Sequence, residues 1–290
     1  MSVKIVEFQE TYLNQLVEFF KQNSEDHPEL YDIEIIHWQR CRRYLALFNN
    51  EIVGHIAQIP HTIKCGNKSI NFGWAATLIL DTSNPMVQVF AGTALLNHLT
   101  KQKEIKFAAV GVVPEIENTH KRRGFNINYN ATSMFARFFH PAKALSFLNK
   151  PEIFSLPIKL VNVVFRISDS YKKTDIQKIS EFDSEWDQKW DYYLSHQYLM
   201  YGERKAEFLN YKIKQPKKKY FAYIAKDNDG KINGYTIFRV AINKVKDIML
   251  LKVCDLVGSL SARKALLGYA TNYSQEIKAV SGVGYTLAIP

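Results

Sequence analysis

Cysteine is scarce in this 290-residue sequence: Cys41, Cys65 and Cys254 lie far apart, with no Cys-x-x-Cys pair. That excludes a disulfide framework and a cysteine zinc site, and it fits a reducing cytosol. No apolar run approaches the roughly 18 residues needed to span a bilayer. The segment Met1 to Gln9 alternates polar and apolar residues and lacks the apolar core of a signal peptide. A soluble, cytoplasmic chain without a metal is therefore expected. Glycine (13) and proline (9) are few and charged residues make up 23%, so long disordered segments are not expected.

What is present is core-forming. Hydrophobic residues reach 47% and aromatics 13%, enough for one large domain or two ordinary ones. The formal net charge of +10 favours anionic partners. Its densest run, Lys212 to Lys219, sits between two ordered-looking segments and reads first as a solvated loop.

The apolar spacing predicts a strand over Val3 to Phe8, then helices over Tyr12 to Gln22 and Ile33 to Arg43. A hairpin follows, Tyr44 to Phe48 and Ile52 to Ile59 about Asn49 and Asn50. A second strand pair is read over Thr62 to Cys65 and Ile70 to Leu80. Asp81 to Pro85 is a helix-start signal, and the helix should run from Met86 to Gln102. Ile105 to Val113 reads as a strand and Ile116 to Arg123 as a short helix stopped by Gly124. Phe125 to Phe139 has room for two more strands. The order makes a mixed α/β sheet.

The pattern then returns. Tyr44 to Ile56 is echoed by Ala222 to Ile237, with Gly234 180 positions after Gly54. Ala94-Leu-Leu and Glu104-Ile-Lys are answered by Ala265-Leu-Leu and Glu276-Ile-Lys, 171 and 172 positions later. We read this as a duplication. The second copy is expected to open with helical segments, Ile176 to Met200 and Glu203 to Ile213. The final strands of the first copy have no visible counterpart in it.

These features resemble the GNAT superfamily of acyl-CoA-dependent N-acyltransferases. The carriers are the hairpin ending at Gly54, the long strand into Asp81 to Pro85, the helix start, and Thr119 to Phe125, which is similar to the family's Tyr-x-x-x-Gly-Phe. Glu207 to Tyr211, Tyr220 and the Gly234 hairpin are similar to tandem GNAT proteins acting on nucleotide-linked amino sugars. The resemblance implies an α/β fold with two GNAT-like mixed-sheet copies in tandem, each a mostly antiparallel sheet flanked by helices. The second copy is expected to be degenerate or incomplete. The implied domains are 1–145, binding coenzyme A, a connector over 146–172, and 173–290, supporting the first copy and binding the acceptor.

The family's phosphate cradle is Gln/Arg-x-x-Gly-x-Gly/Ala, whose opening helix amides face the coenzyme's diphosphate. Two registers compete here, Gln88-x-x-Ala91-x-Thr93 and Val89-x-x-Gly92-x-Ala94. Leu80 and Ser83 complete the expected coenzyme A contacts, with the bare amides placed near residues 88–94. In the second copy Arg263 and Lys264 stand where that backbone should be bare. His120 takes the place of the family's general-acid Tyr. No carboxylate lies within Ile70 to Leu80, so Asp81 is the nearest base candidate, with helix capping as its plainer role. His61 and His55 could face the acceptor.

The implied reaction is acyl transfer from acyl-CoA to the amine of a small anionic acceptor, such as a dTDP- or UDP-linked amino sugar of a bacterial surface polysaccharide. Nucleic acid is not expected as a partner, and a homo-oligomer is compatible with the sequence. Two other readings stay open: a tRNA-dependent, Fem-like aminoacyltransferase, which the lysine run would suit, and a non-catalytic tandem GNAT.

Overall fold

Asn49 and Asn50 have φ of 51° and 65°, the left-handed pair that closes a two-residue hairpin. They join β2 (Arg42–Phe48) to β3 (Glu51–Cys65). The computed structural model describes residues 2–102, 105–109, 114–122, 124–126, 132–138, 174–243, 248–277, 279 and 281–287. The chain divides into two compact units, Met1–Asn128 and Tyr129–Pro290.

The first unit contains β1 (Lys4–Glu7), α1 (Leu13–Asn23), α2 (Ile33–Trp38), β2, β3, β4 (Lys68–Leu80), α3 (Pro85–Thr100), β5 (Lys106–Ala109) and α4 (Pro114–Arg122). Its strands lie in the order β1-β2-β3-β4-β5, antiparallel except for β4 with β5. Strand β2 is buried on both faces. Tyr44 and Ala46 meet Val87, Ala91 and Leu95 of α3, while Leu45 and Leu47 meet Leu16, Phe19 and Phe20 of α1. Each of the leucines, phenylalanines and Val87 removed from water contributes about 2 kcal/mol.

Helix α2 is shorter than the expected Ile33 to Arg43. Asp32 caps its start, and Arg43, buried in β2, donates to Ile36 O (3.0 Å) and Gln39 Oε1 (2.7 Å) at its end.

The second unit contains β6 (Thr132–Phe138), β7 (Asp175–Ile179), α5 (Ser184–Asp187), α6 (Trp190–Ser195), β8 (Met200–Gly202), α7 (Ala206–Ile213), β9 (Tyr220–Lys226), β10 (Ile232–Asn243), β11 (Ile248–Gly258), α8 (Leu260–Glu276) and β12 (Ser281–Leu287). The sheet order is β6-β12-β11-β10-β9-β7. Strands β7, β9, β10, β11 and β12 match β1 to β5, and α8 matches α3, so the internal repeat is a repeat of structure.

Two expectations give way. Ile176 opens a strand rather than a helix. Ile176 and Ile179 join clusters on opposite sides of the sheet, as residues three apart do on a strand but not on a helix. The segment expected to finish the first sheet instead places β6 antiparallel to β12, from Thr132↔Leu287 to Ser281↔Phe138. The second sheet thus gains its edge strand from chain that precedes the second copy, on the near side of the boundary read at 145. The connector 146–172 lies outside the described residues, as do 110–113, part of the strand read over Ile105 to Val113.

Candidate functional site at the end of β4

Four residues carry β4 into α3. The Asp81 amide donates to Val53 O (3.0 Å), and its carboxylate accepts from the Ser83 amide (2.8 Å), so Asp81 shapes the turn. Asn84 is the N-cap: its Oδ1 accepts from Met86 N (3.1 Å) and Val87 N (3.3 Å). Pro85 has no N–H, and Gln88 N already bonds Asn84 O (2.9 Å).

The amides at the mouth of α3 that lie outside the helical ladder are those of Met86 and Val87, immediately ahead of the 88–94 stretch read from the sequence. Amides from Gln88 onward lie inside the helical ladder. Helix polarity, roughly +0.5 charge at the N-terminus, fits a phosphate there, but Asn84 occupies both amides.

The small residues of both registers serve packing. Ala91 is fully buried, and a Cβ at Gly92 would stand 2.9 Å from Leu80 Cδ1. Gln88, Thr93 and Ala94 are half-buried and Ser83 is exposed.

One turn back along β4 lies a feature that the sequence reading missed. His55 pairs with Ile79 and Ala57 with Ala76, so β4 holds one extra residue between them, a β-bulge. Thr77, in that bulge, has φ of 49°. For a β-branched residue the left-handed region costs about 1–2 kcal/mol.

His55 Nδ1 lies 2.9 Å from Thr77 O. A carbonyl can only accept, so Nδ1 carries the proton and Nε2 is left as the acceptor. Nε2 is buried with no hydrogen-bond partner among the described residues. The ring is 1% exposed and T-shaped against Phe20 at 4.8 Å. Burial, with a smaller push from the Arg43 charge, drives the imidazolium down to about 3, against the opposing bond to Thr77. The imidazole is neutral at ordinary pH.

The other candidates are spread out. His120, near the end of α4, is 5% exposed with its ring 5.1 Å from that of Phe125. Gly124, at φ 81°, ends the helix as its sequence implied. His61 pairs with Phe72, seven residues along β3 from the Gly54↔Leu80 pair, or about 23 Å. The structure does not bring it to the mouth of α3.

In the second unit Tyr235 follows Gly234 as His55 follows Gly54, and it is fully buried. Strand β11 also carries an extra residue, Cys254, next to Asp255. The Arg204 Nε and Asp255 Oδ2 lie 2.8 Å apart, within ion-pair distance but out of hydrogen-bond alignment. Lys212 Nζ stands 3.7 Å from the same oxygen. Burial would raise the Asp255 carboxyl, but Arg204 and Lys212 outweigh it and hold it below the usual carboxylate range. Burial, with the Asp255 charge, pushes the Tyr235 phenol well up.

Among the described residues no cluster of His, Cys, Asp or Glu could hold a metal, and no helix is long and apolar enough to cross a membrane. No protein-family profile matches the sequence, and no curated protein matches it. Solved structures do. A protein from Enterococcus faecalis V583 described as a probable N-acyltransferase matches with a TM-score of 0.62 at 14% identity, over 98% of this chain and 65% of that one. A GCN5-related N-acetyltransferase from Anabaena variabilis matches with a TM-score of 0.64 at 12% identity, over 99% of this chain and 66% of that one. Saccharomyces cerevisiae N-myristoyltransferase with bound myristoyl-CoA matches with a TM-score of 0.57 at 13% identity, over 98% and 76%. The chain spans just under two thirds of the length of the first two. At such identities the likeness is one of fold, and the chain has the GNAT fold, with two mixed sheets.

Proposed function

We propose that the first unit binds an acyl-CoA and passes its acyl group to the amine of a small anionic acceptor. What carries this reading is a juxtaposition in the first unit alone: a strained bulge in β4, followed within a few residues by the four-residue turn and polar mouth of α3. The amides of Met86 and Val87 would take the diphosphate once Asn84 turns aside, with helix polarity favouring the anion.

The acceptor's neutral amine attacks the thioester carbonyl carbon; the C–N bond forms and the C–S bond breaks. The proton lost by nitrogen ends on the departing thiolate, and His120 is the residue proposed to deliver it. No general base is assigned, and positioning supplies the rest. The net charge of +10 supports an anionic acceptor, such as a nucleotide-linked amino sugar.

Calorimetry with acetyl-CoA tests the reading. Ligand at 100 times its dissociation constant adds about 2.7 kcal/mol of stability, and absence of both heat and melting shift would refute it. Asn84→Ala should cost about 1 kcal/mol without ligand while leaving coenzyme A affinity undiminished. A weakened affinity would show that the Asn84 side chain itself belongs to the site.

The Asn84 cap also favours a second reading, a non-catalytic binding protein. Coenzyme A binding without any thiol release from acetyl-CoA, whatever the amine supplied, would select it.

A further inference from the structure

Where β9 begins, the second sheet carries a charged row. Tyr220, Arg239 and Lys252 stand directly opposite one another across β9, β10 and β11. All three face the α7 side. Tyr220 packs there with Ile179, Ile213 and Cys254, while Phe221, Phe238 and Leu251, one position away on each strand, take the α8 side.

Arg239 and Lys252 are half-buried, and like charges directly opposite on one face destabilise a sheet. The fold does not demand them. The matching pair in the first unit is Ile59 with Trp74, and neither is charged.

Lys212, in the last turn of α7, brings a third cation to the same face. Its Nζ lies 3.4 Å from Cys254 O and 3.7 Å from Asp255 Oδ2. Burial pushes the Cys254 thiol up, and the charges that reach it are Lys212, Arg239, Asp255 and Lys252. The one carboxylate of that set is already held by Arg204 at 2.8 Å. Among the described residues neither Arg239 nor Lys252 has an ion pair.

The row borders a cavity of about 440 Å³, lined by Tyr220 together with Ile179, Ser180, Ile213 and Lys214. Lys214 is paired with Glu181 at 2.9 Å, in an exposed contact. An apolar wall with a few convergent polar groups, at this volume, is the make-up of a small-molecule site.

We propose that this face of the second unit binds a small phosphorylated molecule, its phosphate on Arg239 and Lys252 with Lys212 beside them, and its body in the cavity next to Tyr220. The arginine fork matches a phosphate in shape, and the lysines add point charge. The bound anion relieves the repulsion that the empty row carries. This site is independent of the acyl-CoA reading, which concerns the first unit.

Calorimetric titration of the whole chain with inorganic phosphate and with uridine diphosphate tests it, on the native protein, Arg239→Gln and Lys252→Met. Both probes should bind the native protein, and each substitution should weaken both at least tenfold. Ser180→Trp, which fills the cavity, should weaken the nucleotide at least tenfold and leave phosphate within about threefold. Without ligand, Lys252→Met should raise the melting temperature by about 1–2 °C, because it removes one of two facing charges.

Native affinity in both charge variants, or no binding of either probe to the native protein, would overturn the site. A melting temperature that falls in Lys252→Met would do the same, since the charge would then serve the fold. Tight binding of a single-stranded RNA with neither probe bound would replace the pocket by a nucleic-acid surface. Acetyl-CoA should bind Arg239→Gln as it binds the native protein, and an equal loss for acetyl-CoA would make the row part of the coenzyme's own site. Acetyl-CoA that binds none of these proteins would overturn the acyl-CoA reading alone.

Discussion

The two units make the same passage, from fourth strand to long helix, in different ways. In the first, β4 reaches α3 through four residues, 81–84, with two side chains folded back as caps. In the second, Ser259 alone separates β11 from α8, and the turn closes on itself. A Cβ on Gly258 would come within 2.5 Å of Gly234 Cα and 2.6 Å of Asn233 O. The bulges differ as well: one is neutral and strained, the other charged and relaxed. A duplicated fold thus keeps its sheet and helix in both copies, while the turns that enter the helix differ by three residues.

The charged bulge offers the largest break in that comparison. Arg204→Met should destabilise the second unit by about 3 kcal/mol, because the buried Asp255 carboxylate loses its nearer cation and keeps only Lys212 at 3.7 Å. Denaturant unfolding would measure it, and a cost under about 1 kcal/mol would mean that the pair is only a surface contact. Next comes Gly258→Ala. At φ 141° with backbone on two sides, it should cost about 3 kcal/mol. Gly54→Ala, which meets only side chains at 3.0–3.3 Å, should cost less. Equal melting points for the two variants would remove the asymmetry of the turns.

Acid should separate the units in order. His55 titrates at about 3 when folded and near 6.5 when unfolded, so its contribution is complete above pH 6.5. Below that the unfolded chain takes the proton first, and stability falls by about 1.4 kcal/mol per pH unit. Asp255, depressed below its ordinary value, contributes above about pH 3.9 and is lost only as pH falls further. Region-resolved hydrogen exchange should therefore show the first unit loosening before the second, and His55→Phe should abolish the early phase. The smallest effect has the opposite sign. Thr77→Gly trades strain for chain entropy and should raise stability by less than about 1 kcal/mol, a melting rise of roughly 2 °C. A clear drop would mean that Thr77 is not strained.

The sequence carried what is local. Asn49-Asn50 announced the first hairpin, Asn84-Pro85 the start of α3, Gly124 the end of α4, and the spacing of Gly54 and Gly234 the duplication. The first three depend on backbone preferences within a few residues, and the last on a pattern that recurs along the chain. What stayed hidden is long-range. Thr77 is an ordinary strand residue until His55, 22 positions earlier, is laid beside it. Arg204 and Asp255 read as unremarkable charges 51 positions apart until the sheet buries them together. Nor did the small residues of α3 announce that they face Leu80 rather than solvent. Helix periodicity alone does not say which side the sheet will take.

The placement of β6 has a consequence for how the molecule is made. Ser281, its first partner on β12, lies 143 positions after Phe138. At a synthesis rate of about 5–20 residues per second, β6 leaves the ribosome some 7–30 seconds before the strand it must pair with exists. Through that interval it is an unpaired strand, open to the wrong neighbour or to a chaperone. Shortening the chain from its far end by only ten residues would leave β6 stranded, although every residue of β6 itself remained.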